Sequence, residues 1–235
     1  MAENIHLILI GGGDIGTLQS NNTYAPSETT IIDNYFVSLI NKNKPRILFL
    51  PTATENGLDP NKTYELSFRH QFEQLGCIID VLYLTDNPLE STIQLKLKQA
   101  DAIYIGGGDP SFLLECWKKT GFDQKIIKFA LLGKPIAGIS AGANCLFEKV
   151  FARQKNNNTK IIDGLNLVPN ALMPHWDKHK ENFMATEVSK QLAFMAIDEC
   201  AAVEVNSGRY QVITSKTTAS AYIVSYKGSF VEEKI

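Results

Sequence analysis

Short apolar runs alternate along the chain with stretches of helical spacing. Ile5–Ile10, Arg46–Leu50, Cys77–Leu84, Asp101–Ile105 and Pro135–Ile139 read as strands. Between them, the pairs Ile31/Ile32, Tyr35/Phe36 and Leu39/Ile40 predict a helix over Glu28–Ile40. Tyr64, Phe68, Phe72 and Leu75 share one helical face, which Gly76 can cap. Leu89, Ile93 and Leu97 mark another helix, Pro110 opens the next, and Ile126/Ile127 with Ala130/Leu131 predict one more before Gly133. A repeated β-α order means parallel strands buried on both faces, so the expected fold is α/β: a three-layer α/β/α arrangement around a mainly parallel sheet.

Beyond Leu146 the rhythm changes. Phe151–Lys160 is polar and Asn-rich, which predicts an exposed loop, and Met184, Val188, Leu192 and Met195 predict a further helix. Ala201–Val205, Tyr210–Thr214 and Ala219–Tyr226, punctuated by Ser207-Gly208 and Lys227-Gly228, predict antiparallel strands extending the same sheet. No linker, repeat or low-complexity boundary interrupts the chain, so one domain over residues 1–235 is expected.

Charge narrows the partners. Twenty-three Lys+Arg against 25 Asp+Glu leave a net charge of -2, which gives no electrostatic footing for nucleic acid or an anionic membrane. No apolar run approaches the roughly 18–20 residues a membrane span needs. The run Leu7–Ile10 has neither a basic start nor a cleavage pattern, so it is not expected to be a signal peptide. Cys77, Cys116, Cys145 and Cys200 stand apart with no C-x-x-C pair. Neither a zinc site nor a disulfide framework is expected, and a reducing cytoplasm is the expected compartment.

The strongest local motif is Gly138-Ile139-Ser140-Ala141-Gly142, a G-x-S-x-G between a buried strand and a helix. Small neighbours at Gly138 and Gly142 let strand and helix backbones crowd the turn. That turn presents the Ser140 hydroxyl and aims the Ala141 N–H at a developing oxyanion. Gly and Ser are also simply good turn formers. Ile105-Gly106-Gly107-Gly108-Asp109-Pro110 ends another buried strand. Its glycines admit a ligand close to the backbone, which makes Gly107 and Asp109 candidate substrate contacts. It lacks the third spaced glycine of a dinucleotide fingerprint. Gly11-Gly12-Gly13-Asp14 repeats the theme, either to meet a ligand or merely to turn the chain.

A serine nucleophile needs a base. Of the four histidines, His6 reads as a strand residue, His70 as a helix residue and His179 as part of a solvated charged run. His175 lies between Pro174 and Trp176, which would hold its ring, and is the candidate base. Cys145 stands inside the helix after the elbow, not at it, which disfavours a cysteine-based glutamine amidohydrolase.

Taken in order, Gly106–Gly108, the elbow Gly138–Ala143 and Pro174-His175 resemble the peptidase S51 family, the group of dipeptidase E and cyanophycinase, whose fold is similar to that of class I glutamine amidotransferases. Leu48-Phe49-Leu50-Pro51-Thr52-Ala53 and Ala196-Ile197-Asp198-Glu199 suit the family's early and C-terminal segments. The resemblance implies acyl transfer to Ser140 with His175 as general base and backbone N–H groups near Gly108 and Ala141 as oxyanion hole. It implies no cofactor or metal, and a small peptide or amide substrate. A monomer or homodimer is expected.

Three departures matter. Family members place a triad acid in the loop between elbow and histidine, but Phe151–Lys160 has no carboxylate. Asn156, Asn157 or Asn158 could orient the imidazole, or the flanking Glu148 or Asp163 could supply the charge. Asp109-Pro110 replaces the common Asn-Thr, adding a negative charge at the glycine turn. None of the four arginines, Arg46, Arg69, Arg153 and Arg209, stands beside the histidine, so cleavage after an N-terminal Asp is not expected. The leading reading is a serine peptidase. The alternative is a relative that has lost turnover and binds a small ligand in the same pocket.

Overall fold

The structure, a computed structural model, describes residues 5–154 and 158–235. In chain order the strands are β1 (His6–Ile10), β2 (Arg46–Leu50), β3 (Ile78–Val81), β4 (Ala102–Ile105), β5 (Ile136–Ile139), β6 (Phe147–Arg153), β7 (Thr159–Asp163), β8 (Val168–Pro174), β9 (Phe194–Ile197), β10 (Ala201–Asn206), β11 (Arg209–Thr214), β12 (Ala221–Tyr226) and β13 (Phe230–Lys234). The α-helices are α1 (Thr30–Ser38), α2 (Thr63–Gln74), α3 (Glu90–Gln99), α4 (Pro110–Thr120), α5 (Phe122–Leu131), α6 (Ala141–Asn144) and α7 (Trp176–Met184).

Seven strands form one sheet in the order β11-β10-β1-β5-β4-β2-β3. Its pairings from β1 to β3 are all parallel, and β10 and β11 add antiparallel at the edge. Alternate residues of each strand face opposite ways. Ile8, Ile10, Phe49 and Tyr104 thus pack with Ile32 and Phe36 of α1 and Phe68 and Phe72 of α2. Leu7, Leu9, Leu50 and Ile105 pack on the other face with Leu113 and Trp117 of α4 and Ile126 of α5. This is the α/β, mainly parallel architecture that the periodicity predicts.

The second half departs from expectation in three ways. A six-stranded mixed sheet, β13-β12-β9-β8-β6-β7, stands beside the first, and Val168, Leu172, Met195 and Ile197 join the core beneath the main sheet. The tail therefore divides. Its first two strands extend the main sheet, whereas β12 pairs with β9, Ala221 opposite Ile197. The polar stretch expected as a loop is a hairpin, β6 against β7, with Arg153 opposite Thr159. The helix expected over Met184–Met195 is absent. Its apolar spacing is shared between the end of α7, a 3-10 turn at Val188–Lys190 and the buried strand β9.

One buried charge lies under the α1 face. Asp33 is fully buried, and its Oδ2 accepts from Thr29 Oγ1 at 2.9 Å and Gln71 Nε2 at 2.9 Å. Oδ1 has no partner among the described residues, and burial pushes the carboxyl up to about 7. A carboxyl raised above its unfolded value binds its proton more tightly in the folded chain. Its contribution is full below about pH 4 and is lost as pH rises through about 7. Asp33→Asn is expected to remove this loss. Its stability relative to the parent, read by urea titration, should rise across that window by about 4 kcal/mol. A difference independent of pH would contradict it.

Candidate active site

The parallel register brings three strand ends together. Ile10 lies opposite Ile139, and Ile105 opposite Gly138, so Gly11, Ser140 and Gly106 leave the sheet side by side. Ligands bind at such carboxyl ends. Ser140 sits at the bend with φ 53 and ψ -115, a conformation that disfavours side chains. Neighbouring bonds hold it there: Ser140 N donates to Ile10 O at 2.9 Å, and Ser140 O accepts from Asn144 N at 2.9 Å. The two motif glycines are there for space. A Cβ on Gly138 would collide with the Gly142 carbonyl, and one on Gly142 with the Ile105 carbonyl.

The second sheet delivers the imidazole. His175 follows the last residue of β8 in a left-handed conformation (φ 52), and its N–H donates to Gly11 O at 3.2 Å. Its Nε2 lies 2.8 Å from Ser140 Oγ, and its Nδ1 lies 3.0 Å from Glu199 Oε1. With the proton on Nδ1, the ring donates to the carboxylate and accepts from the hydroxyl. Glu199 is fixed in turn: its N–H donates to Asp177 Oδ1 at 2.9 Å, and Lys178 Nζ reaches its Oε2 at 2.5 Å. Gly12 supplies the wall behind the ring, since a Cβ there would strike Nδ1 and Cε1 of His175. The first glycine run thus serves as a socket for protein side chains.

Glu199 was not among the residues the sequence offered for the partner of the imidazole, and the offered ones stand elsewhere. Asp163 Oδ1 pairs with Lys149 Nζ at 2.7 Å on an exposed edge. Glu148 lies in β6, where its carbonyl accepts from Gly164 N at 2.9 Å. Asn158 closes the β6–β7 hairpin by accepting from Gln154 N at 2.7 Å. Asn156 and Asn157 lie outside the described residues. The register of β8 and β9, Pro174 opposite Ile197, is what sets His175 beside Asp198-Glu199. The sequence signal for this was the Asp-Glu pair at the end of a buried run.

Around the glycine turn, Gly107 lies directly against the serine, where a Cβ would stand 3.3 Å from Ser140 Cβ. A Cβ on Gly108 (φ 139) would strike the Ala53 carbonyl. Ala141 N–H heads the short helix α6, where no intrahelical acceptor exists for it. Asp109, expected as a substrate contact, is also the N-cap of α4. Its Oδ1 accepts from Ser111 N at 2.8 Å and Phe112 N at 3.2 Å, capping α4 ahead of Pro110. Cys145 is buried and donates to Gly142 O at 3.1 Å, and burial pushes its thiol well up.

Two clefts, about 360 and 370 Å³, meet at Ser140 and His175. Asp14, Asp59, Tyr64 and Ser67 line the first, and Arg153, His179, Phe151 and Phe183 line the second. Burial, with a smaller contribution from the nearby Arg153 and Lys178 cations, holds His179 below the usual imidazole range. Among the described residues no group of His, Cys, Asp or Glu is placed to hold a metal ion. No helix there is long and apolar enough to cross a membrane.

The fold thus sets a serine elbow facing a histidine and a carboxylate at the carboxyl ends of its parallel strands. The sequence pattern of Peptidase family S51 matches residues 7–213, and the chain belongs to that family. It is 30% identical over 223 residues to the uncharacterized peptidase YgaJ of Bacillus subtilis, covering 93% of this chain and 91% of that protein. It is 30% identical to Peptidase E of a Nostoc species over 150 residues, 62% of this chain and 56% of the relative. In fold it is similar to a crystal structure of a peptidase from an acI-B1 Actinobacterium, with TM-score 0.73 and 23% identity over 100% of this chain and 96% of the other.

Proposed function

We propose that the protein is a serine peptidase that cleaves short peptides through an acyl-enzyme. Ser140 is the nucleophile, His175 the general base and Glu199 the carboxylate that orients and stabilises the imidazolium. The reading is carried by one observation: Ser140 Oγ, His175 and Glu199 form a continuous hydrogen-bonded chain, 2.8 and 3.0 Å per link, with the serine held on a left-handed bend.

In the reaction, Oγ attacks the amide carbonyl carbon while Nε2 takes its proton. The negative charge that forms on the carbonyl oxygen is met by the N–H groups of Gly108 and Ala141. His175 returns the proton to the leaving nitrogen, the C–N bond breaks and the amine departs. Water then attacks the ester, again giving its proton to His175, and Ser140 is regenerated as the acid leaves. Peptides are the substrates that membership of a peptidase family favours. The alternative of a ligand-binding relative without turnover rests on Asp109, which caps α4 here, and on the need for a carboxylate that the loop lacks. Glu199 meets that need, which favours turnover.

A fluorophosphonate probe is expected to label the peptide containing Ser140, located by mass spectrometry. Ser140→Ala is expected to lose both the label and the cleavage of a short-peptide library. Cleavage that persists in that variant, or a label on another serine, would overturn the assignment.

A further inference from the structure

The glycine turn between β4 and α4 is pinned at all but one of its amides. Gly106 N donates to Leu50 O at 2.9 Å, and Asp109 N to Ala53 O at 2.8 Å. Gly107 N donates to the phenolic oxygen of Tyr64 at 3.1 Å. Among the described residues, Gly108 N–H is the amide of this turn without a protein acceptor. We infer that Tyr64 is a positioning residue of the oxyanion hole: its hydroxyl takes the Gly107 amide and thereby sets the aim of the Gly108 N–H beside Ser140. The inference rests on the acyl-transfer reading above.

Tyr64 is itself built in. It stands in the first turn of α2, where Asp59 Oδ2 accepts from its N–H at 2.9 Å and Asp59 Oδ1 from Thr63 N at 2.9 Å. Its ring lies on Gly106, whose added Cβ would come within 2.8 Å of Cε1, and it meets Phe49 edge-on at 5.2 Å. Ring and hydroxyl therefore clamp two successive residues of the turn. The clamp is next to the chemistry because Gly107 abuts Ser140. Burial pushes the phenol up to about 12, so it remains a neutral partner wherever an imidazole can act as base.

Removing the phenolic oxygen leaves the Gly107 N–H without its acceptor and frees the peptide plane that precedes Gly108 N. The cost falls on the tetrahedral state, where the oxyanion forms, and little on ground-state binding. Tyr64→Phe keeps the ring and deletes the acceptor. At a temperature where circular dichroism shows the variant folded, kcat for a short peptide and the rate of Ser140 phosphonylation are both expected to fall about 10-fold, with KM within about 2-fold. Exchange of the Gly107 amide proton, followed by NMR, is expected to quicken at least about 10-fold.

The outcomes separate. Wild-type labelling at Ser140 with unchanged kcat, labelling and exchange in Tyr64→Phe would overturn the positioning role and leave the peptidase reading standing. A raised KM at unchanged kcat would overturn it too, making Tyr64 a wall of the first cleft. If the wild-type chain neither cleaves peptides nor takes the probe at Ser140, the acyl-transfer reading fails, and the role of Tyr64 fails with it.

Discussion

Glu199→Gln is expected to lower kcat by about 10⁴-fold, the scale that a carboxylate-to-amide change has in serine triads. Charge is one cause, because the imidazolium formed as Ser140 attacks loses its counter-ion. The other is the tautomer, and here the surroundings decide. Glu199 Oε1 faces His175 Nδ1 at 3.0 Å while Oε2 faces the Lys178 ammonium at 2.5 Å. A glutamine placed there must turn its carbonyl towards Lys178, since an NH₂ against an ammonium sets donor against donor. Its NH₂ then faces Nδ1, which must accept, and the ring proton moves to Nε2, opposite the hydroxyl it has to deprotonate.

This makes a second measurement available. Adding Lys178→Met to Glu199→Gln frees the amide to turn over and is expected to recover about 10-fold of the lost kcat, although the charge stays missing. Glu199→Gln within 10-fold of the parent in kcat and in phosphonate labelling would remove Glu199 from the triad.

How far the sequence disclosed this site follows from the range of the contacts involved. The elbow was legible because strand, Ser140 and helix are neighbours in the chain, and Gly138 and Gly142 report the crowding locally. His175 could be singled out by its rigid neighbours. Glu199 could not, because it reaches the imidazole only through the parallel pairing of β8 with β9, and periodicity carries no trace of which strands pair. The second sheet was hidden for a related reason. Period-2 runs such as Ala201–Asn206 and Ala221–Tyr226 look alike in sequence, and only long-range packing sends one to the main sheet and the other away from it. Met184 to Met195 misled because an apolar spacing of three and four residues was assembled from three different elements.

Gly12→Ala is expected to cost at least about 10³-fold in kcat while leaving a folded chain, and it separates space from conformation among the glycines. Gly13 has φ 126, a backbone that side chains resist, whereas Gly12 is not in that region. An alanine at 12 therefore meets no backbone strain of its own. What it meets is the imidazole: its Cβ falls on Nδ1 and Cε1 of His175 and comes within 3.1 Å of Glu199 Cγ. The ring must leave its place between Ser140 and Glu199. A displacement of about 1 Å already costs on the order of 10²-fold in a positioned reaction, and here both hydrogen bonds of the ring break together. The main-chain bond from Cys200 N to Gly12 O, 2.9 Å, needs no side chain, so β1 stays tied to the turn that bears Glu199. The expected signature is a thermal midpoint within a few degrees of the parent, native circular dichroism, and phosphonate labelling of Ser140 slowed as much as kcat. Activity within 10-fold of the parent would mean that the imidazole works from another position, and the 2.8 Å contact with Ser140 would lose its mechanistic meaning.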